Sequence, residues 1–511
     1  MKDFLTTLNE RSTSNRYSLL SVVMKFNLRD LKFRHEYFPL LLPFFYFLHY
    51  YFVNYPFFQI KVAASLLVQY VLATILLLFV FFIFFKNWRR ASLFTFFLLF
   101  VQFFFILFSD YLTKRLNGSI GGKGLFPLAI LTITLACLFL YLKTTSRDLR
   151  RVVRFLNVLM LSWIVVELGI FLTFRNYLNS ELKKTIAIKE GSNGAKPDIY
   201  LLILDEYAGQ KTLVDKFQFD NNEFLSYLRS KNFHIVSNSK SNYNVTLFSM
   251  ASMLSLDRLT ITDYEKPSQK DFILAGLKLN ESAIGQFFRH SGYEIYNLSL
   301  FRFLNLPSPF KHPYLRDFAE EVKSKTLTDL VLRNYETLFL NSGNNSKNTN
   351  ESLAFNYNNA LLNCFLHSSF ESTKPKFVYA HFLMPHFPHV LNSDGQLVDP
   401  KLQLSQDSYL GYLKYCNKKI VPVIDKILAS SATPPIILLM SDHGFRGFSK
   451  PTDPTYYFMN LNAIYLPDQK YAGWYDGMSN VNQFRILLNQ KFNQNLPLLK
   501  DTSIRLMGKD F

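Results

Sequence analysis

The tract Gln59–Phe85, QIKVAASLLVQYVLATILLLFVFFIFF, carries a single charge, Lys61. As a helix it rises about 40 Å, enough to cross a hydrocarbon core of roughly 30 Å with some tilt. Buried helices of water-soluble proteins do not run about 20 residues without charge. Four other apolar runs, roughly 37–55, 91–109, 125–142 and 155–174, join this one (58–85) as five candidate membrane spans. Aromatic residues make up 17% of the chain, and phenylalanine crowds this first third. The first span begins too late, after a basic polar stretch, for a cleaved signal peptide.

Basic residues orient the spans. Lys2, Arg11, Arg16, Lys25, Arg29, Lys32 and Arg34 precede the first. Lys86, Arg89 and Arg90 follow the second, and Lys143, Arg147, Arg150, Arg151 and Arg154 follow the fourth. The opposite side holds few. Positive charge stays cytoplasmic, so the N-terminus is expected inside and everything after about 175 outside. The net charge of +18 then reflects topology and attraction to anionic headgroups; no nucleic-acid partner is expected. The three cysteines, Cys137, Cys364 and Cys416, form neither a disulfide framework nor a metal motif. The expected organisation is a cytoplasmic segment (1–36), a transmembrane domain (37–175), a polar linker (176–196) and an extracytoplasmic domain (197–511).

The outer part alternates short apolar runs with helical patterns. Strands are expected at 199–204, 232–237, 293–299, 376–382 and 436–441, with helices at 221–232, 282–292 and 409–428. The stretch 341–352 reads as a surface loop. This alternation predicts an α/β domain with a mostly parallel central sheet flanked by helices.

Two of the strands end on chemistry. Ile199–Leu204 stops at Asp205-Glu206, and Ile436–Met440 runs into Ser441-Asp442-His443-Gly444. Open α/β sheets bind ligands beyond the carboxyl ends of their strands. Carboxylate and imidazole together suit one divalent ion, zinc or manganese rather than calcium. A carboxylate after a strand is also a common turn former.

Thr246 opens an apolar helical stretch on which Leu247, Met250 and Leu254 share a face. It is either a helix cap or a hydroxyl nucleophile at an anion-binding helix terminus; Ser249 is the competing nucleophile. The loop after 376–382 carries His381, His386 and His389 around two prolines. That spacing is not a helical zinc motif, so proton transfer or phosphate binding is expected, with His386 first and His381 and His389 as substrate contacts. Arg446 is expected to bind an anionic oxygen or to form a surface salt bridge.

Asp205-Glu206, Thr246, Pro385-His-Phe-Pro-His389 and Ser441-Asp-His-Gly444 occur in an order that resembles the alkaline phosphatase and sulfatase superfamily. Five spans before an outer catalytic domain are similar to bacterial phosphoethanolamine transferases and lipoteichoic acid synthases. The resemblance implies an alkaline phosphatase-like fold in the bacterial inner membrane, with Asp205, Glu206, Thr246, Asp442 and His443 as metal ligands and Thr246 as nucleophile. It implies transfer of a phospho-headgroup from a membrane phospholipid, through phospho-threonine, to a glycan or lipid acceptor. The alternatives are a membrane-anchored phosphodiesterase or sulfatase-like hydrolase, and an inactive glycan- or protein-binding scaffold. Thr246-Leu-Phe-Ser-Met250 lacks the Pro and Arg of the sulfatase nucleophile motif, which disfavours sulfate-ester hydrolysis. No further His follows in 446–458, which argues against two zinc ions and a phosphoethanolamine headgroup.

Overall fold

The computed structural model describes residues 35–55, 60–115, 125–182, 188, 196–312, 318–332, 349–367, 370 and 372–507. The chain divides into two compact units. One holds Ala64–Gly169, Lys325–Thr328 and the described residues up to His49; the other holds the described parts of Tyr50–Ala63, Ile170–Ser324 and Asp329–Phe511.

Among the described residues, three helices are long and apolar enough to cross a membrane: Ile60–Phe85, Trp88–Phe108 and Arg150–Leu182. Apolar helices at Phe38–Val53 and Leu128–Thr144 are shorter. At 16 residues, Phe38–Val53 rises only about 24 Å, so its length does not match the span expected from hydropathy at 37–55. Leu76 in Ile60–Phe85 is 65% exposed to its surroundings, as suits a helix that is apolar all round and solvated by lipid. Inside the first unit, Tyr46 stacks on Phe103 with ring centroids 4.2 Å apart. Buried Asn157 accepts from Tyr37 N and Phe38 N at 3.0 and 2.8 Å, capping the first helix. The expected cytoplasmic segment lies outside the described residues as far as 34, and the connector does so at 183–187 and 189–195. Its start, 176–182, continues the Arg150–Leu182 helix. The expected loop at 341–352 lies outside the described residues up to 348; Thr349–His367 is helical.

The second unit is built on one mixed sheet. Its strands are β1 (Ile199–Leu204), β2 (His234–Ile235), β3 (Glu294–Leu298), β4 (Lys376–Phe382), β5 (Ile436–Met440) and β6 (Asn462–Tyr465). Their order is β2-β6-β5-β1-β4-β3. β5, β1, β4 and β3 run parallel, whereas β6 lies antiparallel to both β5 and β2. The mixed character comes from β6. Asn460 and Asn462 break the apolar run that would otherwise have marked it.

All six residues of β1 are buried, because the strand is central and covered on both faces. Alternate side chains point to opposite faces. Tyr200 and Phe382 meet Phe365 of the Thr349–His367 helix. Phe377, an odd-numbered residue, meets Phe288 at 4.7 Å and Phe484 at 6.3 Å on the other face. Register then sets the site: Ile203 lies opposite both His381 and Met440, so β1, β4 and β5 end at one level and deliver their next residues to one place.

Candidate metal centre and active site

β1 ends in a turn that holds Glu206 at φ 62°, a left-handed conformation costly for a residue with a Cβ. The turn is fixed from below. Glu206 N donates to Asp442 Oδ1 at 3.1 Å, and Tyr409 Oη donates to the Glu206 carbonyl at 2.9 Å. After β5, Gly444 admits no side chain, since a Cβ there would meet the carbonyl oxygens of Tyr456 and Met459 at 2.6 Å.

These turns bring Asp205, Asp442 and His443 together, all buried, with ligand atoms within 4.8 Å of one another. Asp205 Oδ1 and Asp442 Oδ2 have no hydrogen-bond partner. Unpartnered buried carboxylate oxygens beside an imidazole are expensive in isolation and fit a cation well. Burial, reinforced by the charge of Asp442, pushes the Asp205 carboxyl well above the usual range. Burial also opposes ionisation of Asp442, yet His443, His381, the Glu206 N–H and the Thr246 hydroxyl outweigh it and hold that carboxyl at about 2. Burial holds His443 neutral, at about 4, which is the form that binds metal.

Thr246 is the first residue of the helix Thr246–Ser255, and Val245 occupies the cap position. The Thr246 hydroxyl is therefore not spent as a helix cap. It lies 3.2 Å from His443 Nε2 and is half-buried. Ser249 is buried and donates to the Asp442 carbonyl at 2.6 Å.

Glu206 turns its carboxylate toward a different set of groups. Oε1 accepts from Arg446 N at 2.8 Å and lies 3.6 Å from Arg446 Nε; Oε2 lies 3.7 Å from His386 Nε2. Burial would raise its pKa, but Arg446, His386 and His443 together hold it below the usual range. Arg446 Nη2 lies 3.0 Å from His386 Nε2. With Nε2 accepting from the guanidinium, His386 carries its proton on Nδ1, which faces the Phe387 carbonyl.

The remaining histidines sit deeper. His381 is fully buried, with Nε2 3.4 Å from Asp205 Oδ2 and Nδ1 3.3 Å from Tyr379 Oη. His389 is 2% exposed and packs on Tyr409 and Phe445. Burial depresses both to about 4. Three supporting residues escaped the sequence reading. Asn460 donates to the Ser441 carbonyl at 2.7 Å, Asn480 donates to the same carbonyl at 3.1 Å, and Ser441 Oγ accepts from Tyr207 N at 2.9 Å. Asparagine is common in this chain and follows no spacing here, so only the fold identifies them.

The described site thus offers a metal-capable triad, a hydroxyl against it, and an Arg446–Glu206–His386 group alongside. Among solved structures the chain resembles the C-terminal periplasmic domain of EcEptC from Escherichia coli in complex with Zn, at 10% identity and TM-score 0.35, covering 60% of this chain and 87% of that one. It also resembles the integral membrane lipooligosaccharide phosphoethanolamine transferase A from Neisseria meningitidis, at 12% identity and TM-score 0.34, covering 76% and 79%. A putative sulfatase from Bacteroides thetaiotaomicron matches at 13% identity and TM-score 0.35, covering 61% and 74%. No curated protein sequence matches the chain. The sulfatase family model matches residues 197–493, more than half of the chain, and the protein belongs to the sulfatase family.

Proposed function

We propose that this protein is a membrane-anchored, metal-dependent transferase that moves a phospho-headgroup from a membrane phospholipid, by way of Thr246, to a glycan or lipid hydroxyl. The observation that carries this reading is the Thr246 hydroxyl, free of any capping duty and 3.2 Å from His443 Nε2, beside two buried carboxylates with unpartnered oxygens. Asp205, Asp442 and His443 would hold one divalent ion, zinc or manganese by their chemistry, with Glu206 and Thr246 as further ligands. When bound, such an ion lowers the pKa of the hydroxyl and polarises a phosphoryl oxygen.

As Thr246 Oγ1 attacks phosphorus, its proton passes to His386 and on to the departing diacylglycerol oxygen, whose bond to phosphorus breaks; the headgroup phosphate remains on threonine. The acceptor hydroxyl then attacks phosphorus, its proton passes through His386 to Thr246 Oγ1, and the bond from phosphorus to threonine breaks. Arg446 binds a phosphate oxygen, a role its planar fork of donors suits. Anchoring in the membrane would confine the catalytic domain to the surface where a lipid donor lies. Together with the basic residues on one side of the spans, the membrane helices support a catalytic domain outside the cytoplasm of a bacterial inner membrane.

The sulfatase-family match favours a second reading, a hydrolase in which water replaces the acceptor. Headgroup-labelled phospholipid separates the two. A transferase puts label on Thr246, seen by intact mass, and then on a glycan or lipid. Label found only in a free headgroup phosphate supports the hydrolase and refutes the transfer step. If Thr246→Ala keeps turnover, the nucleophile lies elsewhere.

A further inference from the structure

Two serines inside the site face no substrate space. Ser441 is fully buried and Ser249 is 1% exposed. Each instead joins pieces of the site that are remote in sequence. Ser441 Oγ accepts from Tyr207 N at 2.9 Å and donates to the His443 carbonyl at 2.7 Å. One hydroxyl therefore spans the turn carrying Asp205-Glu206 and the turn carrying Asp442-His443. Ser249 Oγ donates to the Asp442 carbonyl at 2.6 Å, and Asn480 donates to the same carbonyl at 3.3 Å. Thr246 and Ser249 are three residues apart and share a helix face. That face holds the turn at two points, Thr246 at His443 Nε2 and Ser249 at the Asp442 carbonyl.

We infer that Ser249 and Ser441 are positioning residues that fix the Asp442-His443 turn against Asp205 and Thr246, and so set the affinity of the site for its divalent ion. The inference rests on the metal-site reading above and extends it to groups that touch neither ion nor substrate. A ligand's direction is set by the backbone that carries it, and a ligand freed to rotate binds its ion more weakly. The Asp442 carboxylate is held at Oδ1 by Glu206 N. Its backbone carbonyl is held by hydroxyl and amide donors from the Thr246 helix and the Asn480 turn. In this arrangement Ser249 is committed as a donor and is not the nucleophile.

The test uses the full chain in detergent, with zinc alone and manganese alone as probes. Affinity is measured by competition with a chelator, and thermal stability is recorded with and without ion. S441A and S249A are each expected to bind the wild type's preferred ion about 10- to 100-fold more weakly. The stabilisation gained on adding ion shrinks accordingly. A purely structural serine would lower the melting temperature with and without ion equally, leaving affinity unchanged, and that result overturns the inference. Should S441A not fold, N480A removes another donor to the same turn and is expected to weaken binding in the same sense; unchanged affinity there counts against the inference equally. A wild-type chain that takes up neither ion sinks the metal reading itself, which separates the two failures. Headgroup label appearing on T246A but not on S249A would make Ser249 the nucleophile and remove its positioning role.

Discussion

Replacing Asp205 by asparagine should stabilise the metal-free protein. The ligand atoms of Asp205 and Asp442 lie within 4.8 Å of each other. At that separation and an effective dielectric of about 20, two carboxylate charges repel by about 3.5 kcal/mol. His443 gives no full positive charge against this at neutral pH, because burial holds it at about 4. The metal-free site must carry the repulsion or keep a proton on Asp205, whose carboxyl is pushed up by burial and by Asp442. Asparagine removes both costs. The expected gain is about 3 kcal/mol at most. For a unit of roughly 300 residues, at about 2.1 cal/mol/K of unfolding entropy per residue, this is about 5 °C in melting temperature.

The pH dependence has a definite sign. A carboxyl raised in the folded state binds more protons folded than unfolded above pH 4. The Asp205 contribution to stability therefore falls as pH rises from about 4 toward the folded value, so the advantage of the asparagine variant over wild type should grow with pH. Thermal melts in chelator from pH 4.5 to 8 read both effects. Addition of zinc or manganese should reverse the order, stabilising the wild type more than the variant. A metal-free D205N chain that melts at or below wild type across this range refutes the reasoning.

Arg446→Ala should lower stability by about 3 kcal/mol, near the low end for breaking a buried pair, because Arg446 keeps 21% of its side chain exposed while Glu206 keeps 5%; no drop in melting temperature would show that Glu206 is charged without its help. Thr246→Ala should abolish phosphoryl transfer while shifting the melting temperature by less than about 2 °C, since the cap belongs to Val245 and the loss of one hydrogen bond costs about 1 kcal/mol; a large destabilisation would give the hydroxyl a structural role. Acid should destabilise the fold in a second window. His312 and His389 are held at about 4 by burial, so the unfolded chain binds more protons between about pH 6.5 and 4. Stability is complete above 6.5 and drops through that interval by up to about 3 kcal/mol per histidine. His312→Gln and His389→Gln melts that keep the full acid slope would disprove the assignment.

Much of the site was readable because strands end where their apolar runs end. Asp205, Glu206, Asp442 and His443 each follow such a run directly, and parallel pairing at a common register brings them together without further information. Thr246 was readable as a helix start, but its position is one residue inside the helix. Whether its hydroxyl serves backbone or site depends on Val245 taking the cap, a matter of local torsion that composition does not carry. The Arg446–Glu206 pair joins residues that follow two neighbouring parallel strands, β5 and β1, and has no sequence spacing to betray it. β6 was missed because it is short and opens on an asparagine committed to hydrogen bonding. Asn462 donates to Ser239 Oγ and to Gln483 Oε1, at 3.2 and 3.1 Å, so a buried strand there reads as polar loop. Of the five expected spans, three match helices that, among the described residues, are long and apolar enough to cross a membrane; hydropathy sees apolar residues at 37–55 but not where the helix ends.

The central place of β1 has a consequence for biogenesis. β1 is the first strand made, yet its sheet neighbours are β4 and β5, whose residues come last but for β6. Glu206 and the Asp442 carboxylate that accepts its N–H are 236 residues apart. A chain emerging from its N-terminus therefore exposes an apolar strand, followed by two acids, with neither sheet neighbour to pair against until Lys376–Phe382 is made. Such long-range closure is slow, and the waiting strand is open to wrong partners. Truncated chains ending before residue 436 would hold half a metal site and no closed sheet. Folding of this domain must wait for translation to deliver the second half.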